Sequence, residues 1–88
     1  MDPMFLQINQ EKTGLRIHQL MDERGFSVND VKDVMGFANP QAVYHWLNGR
    51  SLPSLDNLYI LSQMLKTPMD DILVVDGDVI HHFFMPAA

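Results

Sequence analysis

Eighty-eight residues without a cysteine leave room for one small domain and exclude a disulfide framework or a thiolate metal site. A hydrophobic fraction of 47% against 19% charged residues reads as globular, and no apolar run is long enough to span a bilayer. Net charge −5, from 6 basic and 11 acidic residues, argues against a nucleic-acid partner when the chain is taken whole, because Lys and Arg drive phosphate binding. The acidic opening Met1-Asp2-Pro3 differs from the basic start of a secretory signal and predicts a cytoplasmic chain.

Residues 1–10 form a flank in which Met4-Phe5-Leu6-Gln7-Ile8 is apolar without helical spacing, so strand is predicted there. Five short helices follow. The first runs from about Glu11 to Arg24, with Ile17, Leu20 and Met21 on one stripe, and ends before Gly25. The second spans about Ser27 to Met35 and turns Val31, Val34 and Met35 inward; Ser27 with Asp30 three residues on reads as a capping box. Gly36 closes it. The third spans about Pro40 to Asn48, with Val43, Trp46 and Leu47 facing the core and Gly49 behind it. Ser54 opens the fourth, about Leu55 to Lys66, whose stripe is Leu55, Leu58, Leu61, Met64 and Leu65. Thr67 with Asp70 predicts a cap for a fifth helix of two turns carrying Met69, Ile72 and Leu73. In the tail, Asp76-Gly77 between two β-branched pairs is a hairpin signal.

The strongest local pattern is two short helices joined at Gly36-Phe37-Ala38, with apolar residues facing each other across the turn. The outer face of the third helix is then Pro40, Gln41, Ala42, Tyr44, His45 and Asn48, without an acid. An amide such as Gln41 can pair bidentately with an adenine edge, and Ala42 can meet a thymine methyl.

Six segments resemble, in order, the DNA-binding domain of lambda-repressor-like and Cro-like regulators, the xenobiotic-response-element type. They are Thr13-Gly14-Leu15-Arg16-Ile17, Glu23-Arg24-Gly25-Phe26-Ser27, Val34-Met35-Gly36-Phe37, Trp46-Leu47-Asn48-Gly49-Arg50, Pro53-Ser54-Leu55-Asp56-Asn57-Leu58 and Met69-Asp70-Asp71-Ile72-Leu73. The resemblance implies an all-α, five-helix DNA-binding domain over residues 11–74, with a tail, residues 75–88, that can hold a short strand or hairpin. It also implies a sequence-specific regulator, a repressor, whose recognition helix over residues 39–48 lies in the major groove of double-stranded DNA. Carried over by position, Pro40, Gln41, Ala42, Tyr44 and His45 face bases, and Arg16, Ser27, Asn39, Asn48, Arg50 and Ser51 face phosphates. Three departures concern docking. Val28 stands where the family has a phosphate-bound glutamine, Lys32 where it has a small residue, and the stretch from Gly36 to Gly49 is one residue longer.

Against these stands a second class of function, a protein-interaction module that binds a partner protein, as antitoxins of this family do while also binding DNA. A strand-prone tail that exposes Phe83 and Phe84 would suit pairing with a second copy, giving a homodimer; the alternatives are a strand folded back on Phe5-Leu6 or a disordered end. His81-His82 next to Asp76 and Asp78 meets no zinc-ligand spacing, and adjacent histidines on a strand point to opposite faces, so no metal or other cofactor is expected. No serine, histidine or aspartate sits in a nucleophile setting, so the chain is not expected to be an enzyme.

Position changes the weight of the charge. Residues 1–11 carry −2 from Asp2 and Glu11, and residues 67–88 carry −4 from Asp70, Asp71, Asp76 and Asp78. Residues 12–66 hold every basic residue and sum to +1, and from Gly36 to Pro53 the single formal charge is Arg50. Repulsion is removed from the reading face, but little attraction is supplied.

Overall fold

The computed structural model describes residues 7–76. The hairpin expected around Gly77, the His81-His82 pair and the Phe83-Phe84 pair lie outside the described residues.

A two-residue strand β1 (Gln7–Ile8) leads into α1 (Gln10–Arg24). Asn9 caps that helix: its side chain accepts from the Lys12 N–H at 2.8 Å, while Glu11 and Arg24 complement the dipole at the two ends. The second helix, α2 (Val28–Met35), starts on the expected capping box at Ser27 and Asp30. After a five-residue turn comes α3 (Gln41–Leu47), and after a seven-residue loop α4 (Leu55–Leu65), capped by Ser54. The last helix, α5 (Met69–Ile72), is a single turn rather than two. The Thr67–Asp70 cap does not form. Thr67 Oγ1 instead donates to the Leu65 carbonyl at 2.9 Å, and Pro68 stands at the helix start without a side-chain cap.

A second two-residue strand, β2 (Val75–Asp76), then pairs antiparallel with β1, Gln7 opposite Asp76 and Ile8 opposite Val75. The tail segment 75–76 thus finds its partner in the amino-terminal flank. One backbone bond and one bond to a side chain reinforce the pairing. The Asn9 N–H donates to the Val74 carbonyl at 2.8 Å, and the Val74 N–H donates to Thr13 Oγ1 at 2.9 Å. Thr13 is fully buried, so this bond gives its hydroxyl the partner it needs away from water.

One core collects the inner faces of all five helices: Ile17, Leu20 and Met21 from α1, Val31 from α2, Val43 and Trp46 from α3, Leu58, Leu61 and Leu65 from α4, and Ile72 from α5. Full burial of each aliphatic side chain contributes roughly 1.5–3 kcal/mol, which offsets the poor intrinsic stability of helices this short. Two expected core residues are outside. Val34 is 55% exposed and Leu55 is 72% exposed. Helix geometry explains both. At 100° per residue, Val34 sits about 90° from the centre of the Val28, Val31 and Met35 face, and Leu55 about 85° from the Leu58, Leu61 and Leu65 face.

Candidate nucleic-acid interface

The arrangement that could meet DNA is built from α2, the turn over residues 36–40, and α3. Gly36 takes the left-handed conformation at φ 76°, and its N–H and that of Phe37 return to carbonyls at the end of α2. Phe37 then packs edge-on against Trp46, ring centroids 5.9 Å apart at 68°. Asn39 Oδ1 accepts from the Gln41 N–H at 3.0 Å, which satisfies one of the free amides at the start of α3.

Two glycines seat the far end of α3 against α1. A Cβ on Gly14 would overlap the Trp46 carbonyl oxygen and lie 2.8 Å from that of Leu47. Gly49, at φ 75°, approaches the start of α1 so closely that a Cβ there would lie 2.7 Å from Glu11 Cα. The backbone ending α3 therefore rests directly on the α1 backbone. Sequence reading took Gly49 only as a helix end and gave Gly14 no separate task. The available signal was a glycine inside a helix, which costs about 1 kcal/mol against alanine and so marks a close approach.

The residues expected to face bases divide by exposure. Gln41 is exposed and Tyr44 is 50% exposed, while Pro40 and His45 are half-buried, and half-buried Ala42 also packs against the core. Asn48 and Arg50 are exposed beyond the end of α3, with half-buried Ser51 beside them. The Arg50 N–H donates to the His45 carbonyl at 2.9 Å, which ties the loop to the helix. Trp46 and Val43 are buried, as their spacing implied.

Two of the phosphate candidates lie apart from this group and have structural tasks. Arg16 Nε donates to the Asp71 carbonyl at 3.0 Å, joining α1 to α5. Ser27 is held in its capping box: its N–H donates to Asp30 Oδ2 at 2.8 Å, and its hydroxyl accepts from the Asp30 N–H at 3.1 Å. The Ser27 N–H, and then the Ser27 hydroxyl, hold the Asp30 carboxyl below its ordinary range. A carboxylate thus already occupies the positive end of α2. Lys32, which stands where the resemblance expects a small residue, is accommodated partly exposed with Nζ 3.2 Å from Asp33 Oδ1.

A family model described as helix-turn-helix matches residues 17–72, well over half of the chain. The chain belongs to this helix-turn-helix family, of the lambda-repressor and Cro-like type. The match takes in α2 to α5 whole and the second half of α1. The helix-turn-helix family is one of DNA-binding regulators, and this domain falls in that functional class. No curated protein matches the chain. No helix among the described residues is long and apolar enough to cross a membrane.

Proposed function

We propose that this helix-turn-helix chain is a sequence-specific repressor that acts in the cytoplasm by occupying an operator as a homodimer. In this reading α3 enters the major groove. Gln41, Tyr44, His45, Pro40 and Ala42 meet base edges, and Arg50, Ser51, Asn48 and Asn39 meet the flanking phosphates. Arg16 and Ser27 stand at the margin of the contact, since both already have partners within the fold. The observation that carries the reading is the exposed, acid-free face of α3 on a helix whose far end is seated backbone to backbone on α1. A side chain reads a base only from a fixed platform, and a helix held this way provides one.

Selection from a random duplex library tests it. The expected product is a palindrome with half-sites about one helical turn apart. In Gln41→Ala the preference at one base pair per half-site relaxes, by about 1–3 kcal/mol of discrimination. Recovery of no enriched sequence at low salt rejects sequence-specific binding, and an unchanged preference in Gln41→Ala removes that residue from the reading face.

A further inference from the structure

The close approach at Gly49 has an electrostatic side. A Cβ there would lie 2.7 Å from Glu11 Cα and 3.2 Å from Glu11 Cβ, so the first turn of α1 lies directly against the backbone between Asn48 and Arg50. The Arg50 N–H is held by the His45 carbonyl at 2.9 Å, and the start of α1 is held by its Asn9 cap, so both backbones are pinned where they meet. Glu11 and Arg50 are both exposed and form no ion pair among the described residues. Along the chain, Arg50 is the single formal charge from Gly36 to Pro53. In space, the Glu11 carboxylate stands beside it and cancels it. A duplex backbone, with one negative charge per about 1.7 Å of helix axis, would meet an edge of no net charge.

We propose that Glu11 sets the DNA affinity of each subunit, its carboxylate opposing the phosphates that Asn48, Arg50 and Ser51 meet. This rests on the reading of residues 48–51 as a loop that meets phosphates. The carboxylate acts without touching DNA, because charge is felt over about 8 Å at physiological salt. Such repulsion carries no sequence information, so it weakens operator and random duplex alike. A subunit that makes no base contacts then stays only briefly on random sequence. The same carboxylate favours folding, since it stands in the first turn of α1 beside the positive end of the helix dipole. Its effects on folding and on DNA binding therefore have opposite signs.

The test is a titration of the full chain on random duplex between about 50 and 200 mM salt. Glu11→Gln should bind about three- to fivefold tighter at the lower salt. Each phosphate about 8 Å away counts roughly twofold through water, and more than one lies that close. The gain should shrink to about twofold or less at the higher salt. Its urea midpoint should not exceed that of the parent, so tighter binding does not come from a better folded chain. Asp70→Asn is the control: it removes the same charge from the first turn of α5, a helix packed on α1 and α4. It should change affinity by less than about 1.5-fold. The proposal is overturned if Glu11→Gln binds no more tightly than the parent. It is also overturned by an equal gain in Asp70→Asn, which would make net charge rather than position responsible. Arg50→Ala separates this failure from that of the underlying reading. If Arg50→Ala weakens binding while Glu11→Gln changes nothing, the phosphate-facing loop stands and Glu11 alone is removed. If Arg50→Ala binds as tightly as the parent, or the parent retards no duplex, both fall together.

Discussion

At the scale of single residues, the seat of the recognition helix depends on one missing carbon. Gly14 lies inside a fifteen-residue helix, where alanine would ordinarily add about 1 kcal/mol of stability. Here the added methyl would collide with the carbonyl oxygens of Trp46 and Leu47, which are backbone atoms and cannot swing aside. Overpacking of a close contact costs about 1–3 kcal/mol and more when backbone must move, so the steric effect outweighs propensity. Gly14→Ala should therefore lower the urea midpoint, with a net loss of about 1–2 kcal/mol. It should also weaken DNA binding, because the end of α3 must shift from α1. A midpoint that rises would show the two helices to be farther apart than the structure places them.

At the scale of the element, α2 shows a helix start written locally and an electrostatic consequence that follows from it. The Asp30 carboxyl is held below its ordinary value of 3.8 by the Ser27 N–H and hydroxyl. A carboxyl with a lowered value in the folded state stabilises that state above its unfolded value, and the contribution disappears as pH falls through the folded one. The urea midpoint of Asp30→Asn should accordingly lie below that of the parent at neutral pH. The gap should hold down to about pH 4 and then narrow as acid protonates Asp30 in the parent. Parallel curves down to pH 2 or so would mean that the carboxylate contributes nothing through its charge.

Which elements were legible follows from the same distinction. Ser27, Gly25, Gly36 and Ser54 act through atoms two to five residues away, so their signals were present in short stretches of sequence. Other features depend on more than a short stretch of sequence. The β1–β2 pairing and the Thr13 hydroxyl need Val74 and its neighbours, about sixty residues on. The end of α4 falls on Lys66, as the sequence predicts, although Lys66 takes φ 50° where glycine is the usual signal. The exposure of Leu55 and Val34 depends on which side of a short helix its neighbours cover, a choice that an apolar spacing of three leaves open. Of the candidate site, the exposure of Gln41 and Tyr44 matches the helical period. The partners of Arg16 and the seat of Gly49 required the fold.

At the scale of the whole molecule the question is how a chain of net charge −5 approaches a polyanion. The acidity is concentrated in residues 1–11 and 67–88, while the stretch from Gly36 to Pro53 carries only Arg50 as a formal charge. Each phosphate neutralised by Lys or Arg releases counterions and contributes about 0.9 to the slope of log affinity against log salt. If Arg50 is the principal cation at the backbone, then Arg50→Ala should flatten that slope by about 1 per subunit. Binding to operator and random duplex should weaken together, because a phosphate contact carries no sequence information. Gln41→Ala should do the reverse, leaving the slope intact while changing preference at one base pair. The contrast separates the two roles in a single titration series on two duplexes. An Arg50→Ala slope equal to that of the parent would place Arg50 away from the backbone. The attraction would then have to come from helix-end amides and from the cations of α1, which lie outside the neutral reading face.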